Sequence, residues 1–359
     1  MAQLGISMIA SSSREWIAFC RAAETLGLAG AWTADSFARD AFVDAALALT
    51  HTTELKVGLG IALPTRSPLQ TARAAASLGE FGGRFRLGFA VGHSDTEGLA
   101  SLRFFQMVGA GAMESAHGIP FHPPLARLRD YLDCVLGLLY APADEPVNIE
   151  RTHFRARGKG FGYSPTTLPL LLGGMGPRMC ELAGMRADGI ILHHMAPRKL
   201  VAERAALARA AYARTSAPLT SFVTAFGLIA SIDRDERLAL RRARAELAGA
   251  LILPEYLERL NAVDPSVAEQ VQSLLRNEQY AAAAEALPEE MVRDMVLVST
   301  PTRFRRDVED FKEVELVLTL PCGIFAPMLD SALGLGTPDW RAARANLIEA
   351  IFGSALQHD

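Results

Sequence analysis

Short apolar runs alternate with longer amphipathic stretches along almost the whole chain. Uninterrupted apolar runs are typical of parallel strands that are buried on both faces, and apolar residues at helical spacing predict helices that cover such strands. The predicted strands are Leu4–Ala10, Gly30–Ala34, Leu55–Leu63, Phe85–Val91, Leu168–Leu172, Gly189–His193, Phe222–Ser231 and Val314–Leu320.

A helix is predicted after nearly every strand. Ser13 and Asp40 are placed to cap two of these helices, and Pro68 suits the first turn of a third. Eight strands that alternate with helices predict an α/β fold, a (β/α)8 TIM barrel, for which about 250 residues are typical. An open doubly wound sheet is the alternative, but no GxGxxG motif follows the first strand. The predicted helices are Ser13–Leu26, Ala41–Thr50, Ser67–Gly79, Leu125–Tyr140, Arg178–Arg186, Arg198–Ala213 and Trp340–Phe352.

The chain has 359 residues, more than a barrel needs, and the surplus falls in two excursions. One is the Gly-rich segment His93–Pro124 after the fourth strand, and the other is the largely helical segment Asp233–Thr300 between the seventh and eighth strands. Both follow carboxyl ends of strands, where barrels place their active sites, so each is expected to form a lid or wall there; a tolerated surface insertion is the alternative. We therefore predict one barrel domain over residues 1–359, with insertions at the C-terminal face of the strands.

Composition narrows the class of function. The net charge of −4 and the lack of a basic run with interleaved aromatics argue against nucleic-acid binding. No apolar run is long enough to span a membrane, and the N-terminus does not match a secretory signal peptide. The four cysteines show no CxxC and no metal-ligand spacing, so neither a metal site nor a disulfide is expected. These features predict a cytoplasmic protein.

The stretch LPLLLGGMGPRM, which begins at Leu168, places three glycines and Pro177 between a predicted buried strand and a helix. A tight strand-to-helix turn is one explanation, because glycine permits close backbone approach and proline suits the first helical turn. An anion site is the other explanation, since free N–H groups at a helix N-terminus attract phosphate. These residues by themselves leave both explanations open.

Three strings of the sequence resemble the bacterial luciferase-like superfamily: FGGRFRLGFAVG (Phe81–Gly92), PLARLRDYLDCVLGLL (Pro124–Leu139) and GPRMCELAGMRADGII (Gly176–Ile191). Within that superfamily the chain is most similar to the branch that uses the deazaflavin coenzyme F420, as do the methylenetetrahydromethanopterin reductases. The resemblance implies a barrel, a flavin or deazaflavin bound at the carboxyl ends of the strands, hydride or oxygen chemistry, and a homodimer.

The resemblance also implies which residues bind the cofactor. Gly60 and Ile61 match the place where relatives carry a bulge, often a non-prolyl cis peptide, under the central ring of the isoalloxazine; an ordinary glycine at a strand end is the alternative. The loop at Gly173–Pro177 matches one beside the phosphate-bearing tail, which favours the anion site. Ser94 lies in a string similar to one that relatives use near the cofactor. The expected cofactor-binding residues are Gly60, Ile61, Ser94, Gly173, Gly174, Met175, Gly176, Pro177 and Arg178.

Asp35, His93 and His194 are the candidate catalytic residues. Asp35 matches a carboxylate near the cofactor in relatives, although an aspartate at a strand end also caps loops. The two histidines follow predicted strands, where an imidazole acts as an acid or base or only satisfies polar groups. Ser36 departs from the pattern, because many relatives, including sugar dehydrogenases, have a histidine there as the base for alcohol oxidation. A serine hydroxyl has no proton affinity near neutral pH.

These expectations favour an F420-dependent oxidoreductase that moves hydride to a small organic substrate, with reduction of a C=C or C=N bond favoured over alcohol oxidation. The first alternative is an FMN-dependent two-component monooxygenase that a separate reductase supplies with reduced flavin. The second is a non-catalytic relative that has lost cofactor binding.

Overall fold

A computed structural model describes residues 2–7, 10–36, 39–92, 118–120, 122–215, 222–261, 264–324 and 337–356. Its strands are β1 (Gln3–Ser7), β2 (Ala31–Thr33), β3 (Val57–Leu59), β4 (Phe85–Phe89), β5 (Pro146–Glu150), β6 (Arg155–Lys159), β7 (Leu170–Gly173), β8 (Gly189–Leu192), β9 (Val223–Ile232), β10 (Leu297–Ser299) and β11 (Leu316–Pro321). Its α-helices are α1 (Ser13–Thr25), α2 (Ala41–His51), α3 (Pro68–Gly79), α4 (Pro124–Tyr140), α5 (Pro177–Arg186), α6 (Arg198–Tyr212), α7 (Glu236–Ala250), α8 (Pro254–Asn261), α9 (Pro265–Arg276), α10 (Tyr280–Glu285), α11 (Glu289–Met295), α12 (Phe304–Glu309) and α13 (Thr337–Phe352).

The parallel strands alternate with helices, and the chain has the predicted (β/α)8 barrel fold. The residues group into two compact units. The N-terminal unit comprises Ser7–Ile191 and Ala206–Thr224, and the C-terminal unit comprises Met1–Ile6, Leu192–Ala205 and Ala225–Asp359.

In the N-terminal unit the parallel strands follow the order β2-β3-β4-β7-β8. Leu87 of β4 pairs with Leu170 of β7, and Leu172 of β7 pairs with Ile190 of β8. All four of these side chains are buried, as the uninterrupted apolar runs predict.

Two glycines near the end of β3 make room for the indole of Trp32 on the neighbouring strand. A Cβ atom on Gly58 would overlap the indole, and one on Gly60 would lie 3.0 Å from its Cδ1 atom. Trp32 is itself buried. The tryptophan therefore packs directly against the backbone that leads to Ile61.

In the C-terminal unit the parallel order is β10-β9-β11-β1. The long strand β9 pairs with β11 over Ala225–Ala230 and with β10 over Ala230–Ile232. Helices α7–α11 lie between β9 and β10 in the chain, which confirms that the Asp233–Thr300 excursion is largely helical. Near its end, however, Leu297–Ser299 form the strand β10, which was not predicted.

Two of the predicted helix starts are confirmed in detail, and one is shifted. Asp40 caps α2 by accepting hydrogen bonds from the N–H groups of Phe42 and Val43. Pro68 is the first residue of α3. The residue that caps α1 is Ser12 rather than Ser13, because Ser12 has the extended backbone of a cap and its hydroxyl accepts from the Glu15 N–H.

The antiparallel hairpin of β5 and β6 was not predicted. Only Val147 and Ala156 are buried among its ten residues, so the apolar alternation that marks a strand is nearly absent. Residues 93–117 and 121 of the Gly-rich excursion lie outside the described residues. Its role as a lid, like the single-domain organisation, stays a prediction.

In the part of the chain that the structure describes, no helix is long and apolar enough to cross a membrane. The same residues contain no group of three or more His, Cys, Asp or Glu arranged as a metal site. All four cysteines belong to the described residues; they are buried, and none is in a disulfide.

Candidate functional site

Asp35 ties together the segments that follow β2 and β3. Its backbone N–H donates to the carbonyl oxygen of Ile61 at 3.0 Å, and its Oδ2 accepts from the N–H of Leu63 at 3.1 Å. Its Oδ1 accepts from the N–H of Ala41 at 3.0 Å, at the start of α2. Both carboxylate oxygens thus accept hydrogen bonds from the backbone, which fits the interpretation of Asp35 as a loop cap. Its catalytic role stays a prediction.

The peptide bond between Gly60 and Ile61 is cis, as the family resemblance implies. The Gly60 N–H donates to the carbonyl oxygen of Thr33 at 2.7 Å. Ala62, the residue after Ile61, forms an isolated parallel bridge with Phe89. The segment after β3 is therefore held between the ends of β2 and β4.

Gly173 and Gly174 are required by close packing within the protein. A Cβ atom on Gly173 would lie 2.9 Å from Cγ2 of Ile61, so the structure brings the predicted residues Gly173, Ile61 and Asp35 into one cluster. Gly174 has φ 157°, and its N–H donates to Ile191 O at 3.1 Å. A Cβ atom there would lie 2.6 Å from Cγ of Met179. For these two glycines the packing fits the tight-turn explanation, and their role in cofactor binding stays a prediction.

Beyond Met175, the residues Gly176, Pro177 and Arg178 form an exposed helix N-terminus. Gly176 caps α5 without a side-chain hydrogen bond, and a Cβ atom on it would meet nothing within 4 Å. Pro177 has no N–H, and the N–H groups of Met179 and Cys180 both donate to Gly176 O at 3.0 Å. The N–H groups of Gly176 and Arg178 are therefore the ones that this end of the helix offers to an anion, at the positive end of its dipole. The anion-site explanation therefore remains for this end of the loop. Met175 is buried beside it and offers only its backbone.

Ser36, at the position where many relatives carry a histidine, belongs to a turn closed by Arg39. The Ser36 N–H donates to Arg39 O at 3.0 Å, and the Ser36 hydroxyl accepts from the Arg39 N–H at 3.1 Å. The Arg39 guanidinium binds both carboxylate oxygens of the buried Asp44, and this contact raises the pKa of Arg39. The ion pair holds Arg39 in place, and Ser36, bonded to it, offers a hydroxyl where many relatives carry an imidazole.

In the C-terminal unit, His193 and His194 follow β8 and meet a tyrosine from the helical excursion. The Tyr256 hydroxyl lies 3.1 Å from Nδ1 of His193 and 3.2 Å from Nδ1 of His194. The His194 ring stacks on the Tyr256 ring, with 5.7 Å between centroids and 13° between planes. Tyr256 and His194 are buried, whereas His193 is partly exposed.

Arg259, one turn after Tyr256 on α8, holds this cluster from two sides. It donates to the carbonyl oxygen of His194 at 2.8 Å, and its guanidinium lies 4.5 Å from the centre of the Tyr256 ring. Tyr256 and Arg259 were not predicted as site residues. Their spacing of three residues places them on one helix face, but the sequence does not indicate what that face contacts.

Two of the predicted site residues, His93 and Ser94, lie outside the described residues. Their proposed roles are neither supported nor contradicted by the geometry. The remaining predicted residues fall into the two groups above: Asp35, Gly60, Ile61 and Gly173–Arg178 in the N-terminal unit, and His194 in the C-terminal unit.

A (β/α)8 barrel with acid–base side chains directly after its strands is the arrangement of a barrel enzyme. The chain belongs to the luciferase-like monooxygenase family, which it matches over residues 3–316. It is 23% identical over 324 residues to a 5,10-methylenetetrahydromethanopterin reductase of Methanolobus tindarius, an alignment that covers 88% of this chain and 92% of the relative.

Solved structures share the fold over nearly the whole length. The coenzyme F420-dependent tetrahydromethanopterin reductase from Methanopyrus kandleri superposes with a TM-score of 0.68 at 19% identity and covers 99% of both chains. A monooxygenase from Streptomyces bottropensis superposes with a TM-score of 0.60 at 18% identity and covers 98% of both chains. These three relatives are two reductases, one of them F420-dependent by name, and a monooxygenase.

Proposed function

We propose that this protein is an F420-dependent oxidoreductase that transfers hydride between the deazaflavin coenzyme and a small organic substrate. The observation that carries the proposal is the open N-terminus of α5, where a Cβ atom on Gly176 would meet nothing within 4 Å. The backbone N–H groups of Gly176 and Arg178 and the exposed Arg178 side chain lie there, and this combination fits the phosphate-bearing tail of the coenzyme. The likeness to the coenzyme F420-dependent tetrahydromethanopterin reductase from Methanopyrus kandleri supports the choice of F420.

The residues of the chain take separate parts in this proposal. The first turn of α5 would hold the phosphate, and the Gly60–Ile61 segment, held by Asp35 and packed on Trp32, would support the ring system. The coenzyme supplies the hydride when it is bound, while the barrel positions the substrate and excludes water. His193 and His194 exchange the proton that must accompany hydride transfer to a neutral acceptor.

The preferred direction is reduction of a C=C or C=N bond. Oxidation of an alcohol requires a base for the hydroxyl proton, and such a base contributes roughly 10²–10⁴-fold to the rate. Ser36 offers a hydroxyl instead, and the oxygens of the adjacent Asp35 already accept backbone hydrogen bonds. We therefore expect slow oxidation of sugars and secondary alcohols.

An FMN-dependent monooxygenase is the second candidate. The likeness to the monooxygenase from Streptomyces bottropensis favours it, and an FMN phosphate would suit the same helix N-terminus. In that case a separate reductase would supply reduced flavin.

Turnover with matched substrate panels tests the proposed function. Reduced F420 is supplied with activated enones and imines, and oxidised F420 with sugars and secondary alcohols, while absorbance reports the coenzyme's redox state. We expect turnover in the first panel and little in the second. Fast alcohol oxidation without any reduction would contradict the proposed direction. Oxygen consumption that requires FMN and a flavin reductase would favour the second candidate.

Two further proposals concern the setting of the enzyme. A homodimer follows from the family resemblance, and a monomeric mass in solution at micromolar concentration would contradict it. A cytoplasmic location fits four buried cysteines without a disulfide. Activity confined to a secreted or membrane fraction would contradict that location.

A further inference from the structure

The Tyr256 hydroxyl lies within hydrogen-bonding distance of two imidazole nitrogens at once, 3.1 Å from Nδ1 of His193 and 3.2 Å from Nδ1 of His194. A phenol has a single proton to donate, whereas its oxygen also accepts hydrogen bonds. Tyr256 therefore donates to at most one of these two nitrogens. If both contacts are hydrogen bonds, the other Nδ1 must carry a proton and donate to the phenol oxygen.

This constraint also determines whether the Nε2 atom of each ring carries a proton. In a neutral imidazole, one nitrogen carries a proton and the other carries a lone pair. The ring that donates through Nδ1 has a lone pair at Nε2 and acts as a base there. The ring that accepts at Nδ1 has a proton at Nε2 and acts as a donor there. We propose that Tyr256 is a positioning residue that holds His193 and His194 in opposite tautomers and couples them as a proton relay.

The relay conserves protons in each passage. A proton binds Nε2 of the partly exposed His193, the proton on its Nδ1 moves to the phenol oxygen, and the phenol proton moves to Nδ1 of His194. His194 then releases the proton from its Nε2. One proton enters, one leaves, and both rings are neutral before and after with their tautomers exchanged. The same steps run backwards for the reverse reaction.

The surroundings hold this coupled arrangement in place. Arg259 packs on the cluster, with its guanidinium over the Tyr256 ring and one N–H on the carbonyl oxygen of His194. On the other side, the backbone of β9 approaches closely, since a Cβ atom on Gly227 would lie 3.6 Å from the His194 backbone nitrogen. Both contacts restrict movement of His194.

The relay deepens the proposed function, because it supplies the proton that accompanies hydride transfer to a C=C or C=N acceptor. The part that the relay plays in catalysis rests on the proposed function, but the test of the relay does not. The tautomers can be measured in the purified protein without coenzyme or substrate. A failure of the relay and a failure of the proposed function therefore give separate results.

Nitrogen NMR of histidine-labelled protein measures the tautomers directly. Spectra are recorded at about pH 8, above the ordinary histidine pKa of about 6.5, and the two rings are assigned with the His193→Asn and His194→Asn variants. We expect the Nδ1–H populations of the two rings to add up to a single proton, whether the tautomers are fixed or exchanging. In Tyr256→Phe we expect that sum to fall, because no phenol oxygen remains to accept from an Nδ1–H.

Tyr131→Phe is the matched control, since Tyr131 is also buried and its hydroxyl bonds to Thr71 at 2.6 Å, not to a histidine. It should leave both histidine patterns unchanged. The same tautomer on both rings of the wild-type protein, or an unchanged pattern in Tyr256→Phe, would overturn the relay.

A kinetic readout then separates positioning from simple structural support. With an acceptor that wild type reduces, Tyr256→Phe should slow turnover about 10- to 100-fold and raise the solvent deuterium isotope effect, while KM stays nearly constant. The same loss of turnover without a change in the solvent deuterium isotope effect would contradict the relay's part in the reaction.

Discussion

Asp35 accepts a hydrogen bond from the backbone N–H of Leu63 at 3.1 Å, across an interval of 28 residues. The same aspartate donates its own N–H to Ile61, two residues earlier. The Asp35 backbone and side chain, just after β2, therefore both hold the segment that follows β3. Asp35, a candidate catalytic residue that the sequence also allowed as a loop cap, thus has a structural role at the site.

Replacing Asp35 should weaken both the fold and coenzyme binding. Asp35→Ala removes two hydrogen bonds to a charged acceptor, each worth roughly 1.5–3 kcal/mol, so we expect the free energy of unfolding to fall by about 3–6 kcal/mol. Asp35→Asn retains one accepting oxygen and should lose about half as much. Urea denaturation measures the free energy of unfolding of both variants. Equal stability of the alanine variant and wild type would show that these contacts do not hold the loops.

The two neighbouring glycines of the α5 loop should respond differently to valine. Gly174→Val places a Cβ atom 2.6 Å from Met179 at a backbone φ of 157°, and we expect it to lose about 2–4 kcal/mol of stability. Gly176→Val projects into open space at a φ of −66° and should cost about 1 kcal/mol or less. Thermal unfolding compares the two variants.

Because it keeps the fold, Gly176→Val is the variant that tests the anion site. The valine side chain would project into the space where the phosphate is proposed to bind. Loss of one hydrogen bond to the charged phosphate in this way, worth roughly 1.5–3 kcal/mol, should weaken coenzyme binding by about 10- to 150-fold. Arg178→Ala should weaken it as well, whereas Arg14→Ala, which removes an exposed arginine from the first turn of α1, should have no effect. Unchanged coenzyme affinity in both Gly176→Val and Arg178→Ala would show that the whole stretch is only a structural turn.

The stability contributed by Asp133 should depend on pH. Burial raises the pKa of this carboxyl, but hydrogen bonds from Arg186 and Arg151 outweigh burial, and the folded-state pKa lies below the ordinary value. The ionised form is thus favoured in the folded state, so its stabilisation is present above the ordinary aspartate pKa of about 3.9 and is lost as the pH falls through the folded-state value.

Asp133→Asn should therefore destabilise the protein at pH 7 by about 1 kcal/mol, and the difference from wild type should shrink below about pH 4. The control is Asp144→Asn, because Asp144 pairs with Lys159 at 3.3 Å on an exposed surface, where both side chains are mostly in water. We expect almost no effect from it. Denaturation curves across pH would contradict the account if the two variants behaved alike or if the Asp133 difference grew in acid.

Local patterns in the sequence predicted much of the fold. The uninterrupted apolar runs place the barrel strands, and Asp40 caps α2 through its own neighbours, so both features depend on residues close in sequence. The β5–β6 hairpin was missed because its two strands are mostly exposed and carry little apolar alternation. Short-range signals of this kind do not specify contacts between distant segments.

The candidate site depends more on such distant contacts. Tyr256 contacts His193, which lies 63 residues away in sequence, and no motif around the tyrosine indicates this partner. For Asp35 the sequence left a choice between a carboxylate near the cofactor and a loop cap, and the contact with Leu63 depends on how β2 and β3 pair. Family resemblance pointed to the region, and tertiary packing decides what each side chain contacts.

Equilibrium binding of coenzyme F420 and of FMN to the purified protein tests the central claim most directly. The account predicts saturable binding of F420, weaker binding of FMN, and a loss of F420 affinity in Gly176→Val without loss of fold. Tighter binding of FMN would contradict the choice of coenzyme and favour the monooxygenase. Binding of neither cofactor would contradict the proposed oxidoreductase and leave a barrel of this family without cofactor chemistry.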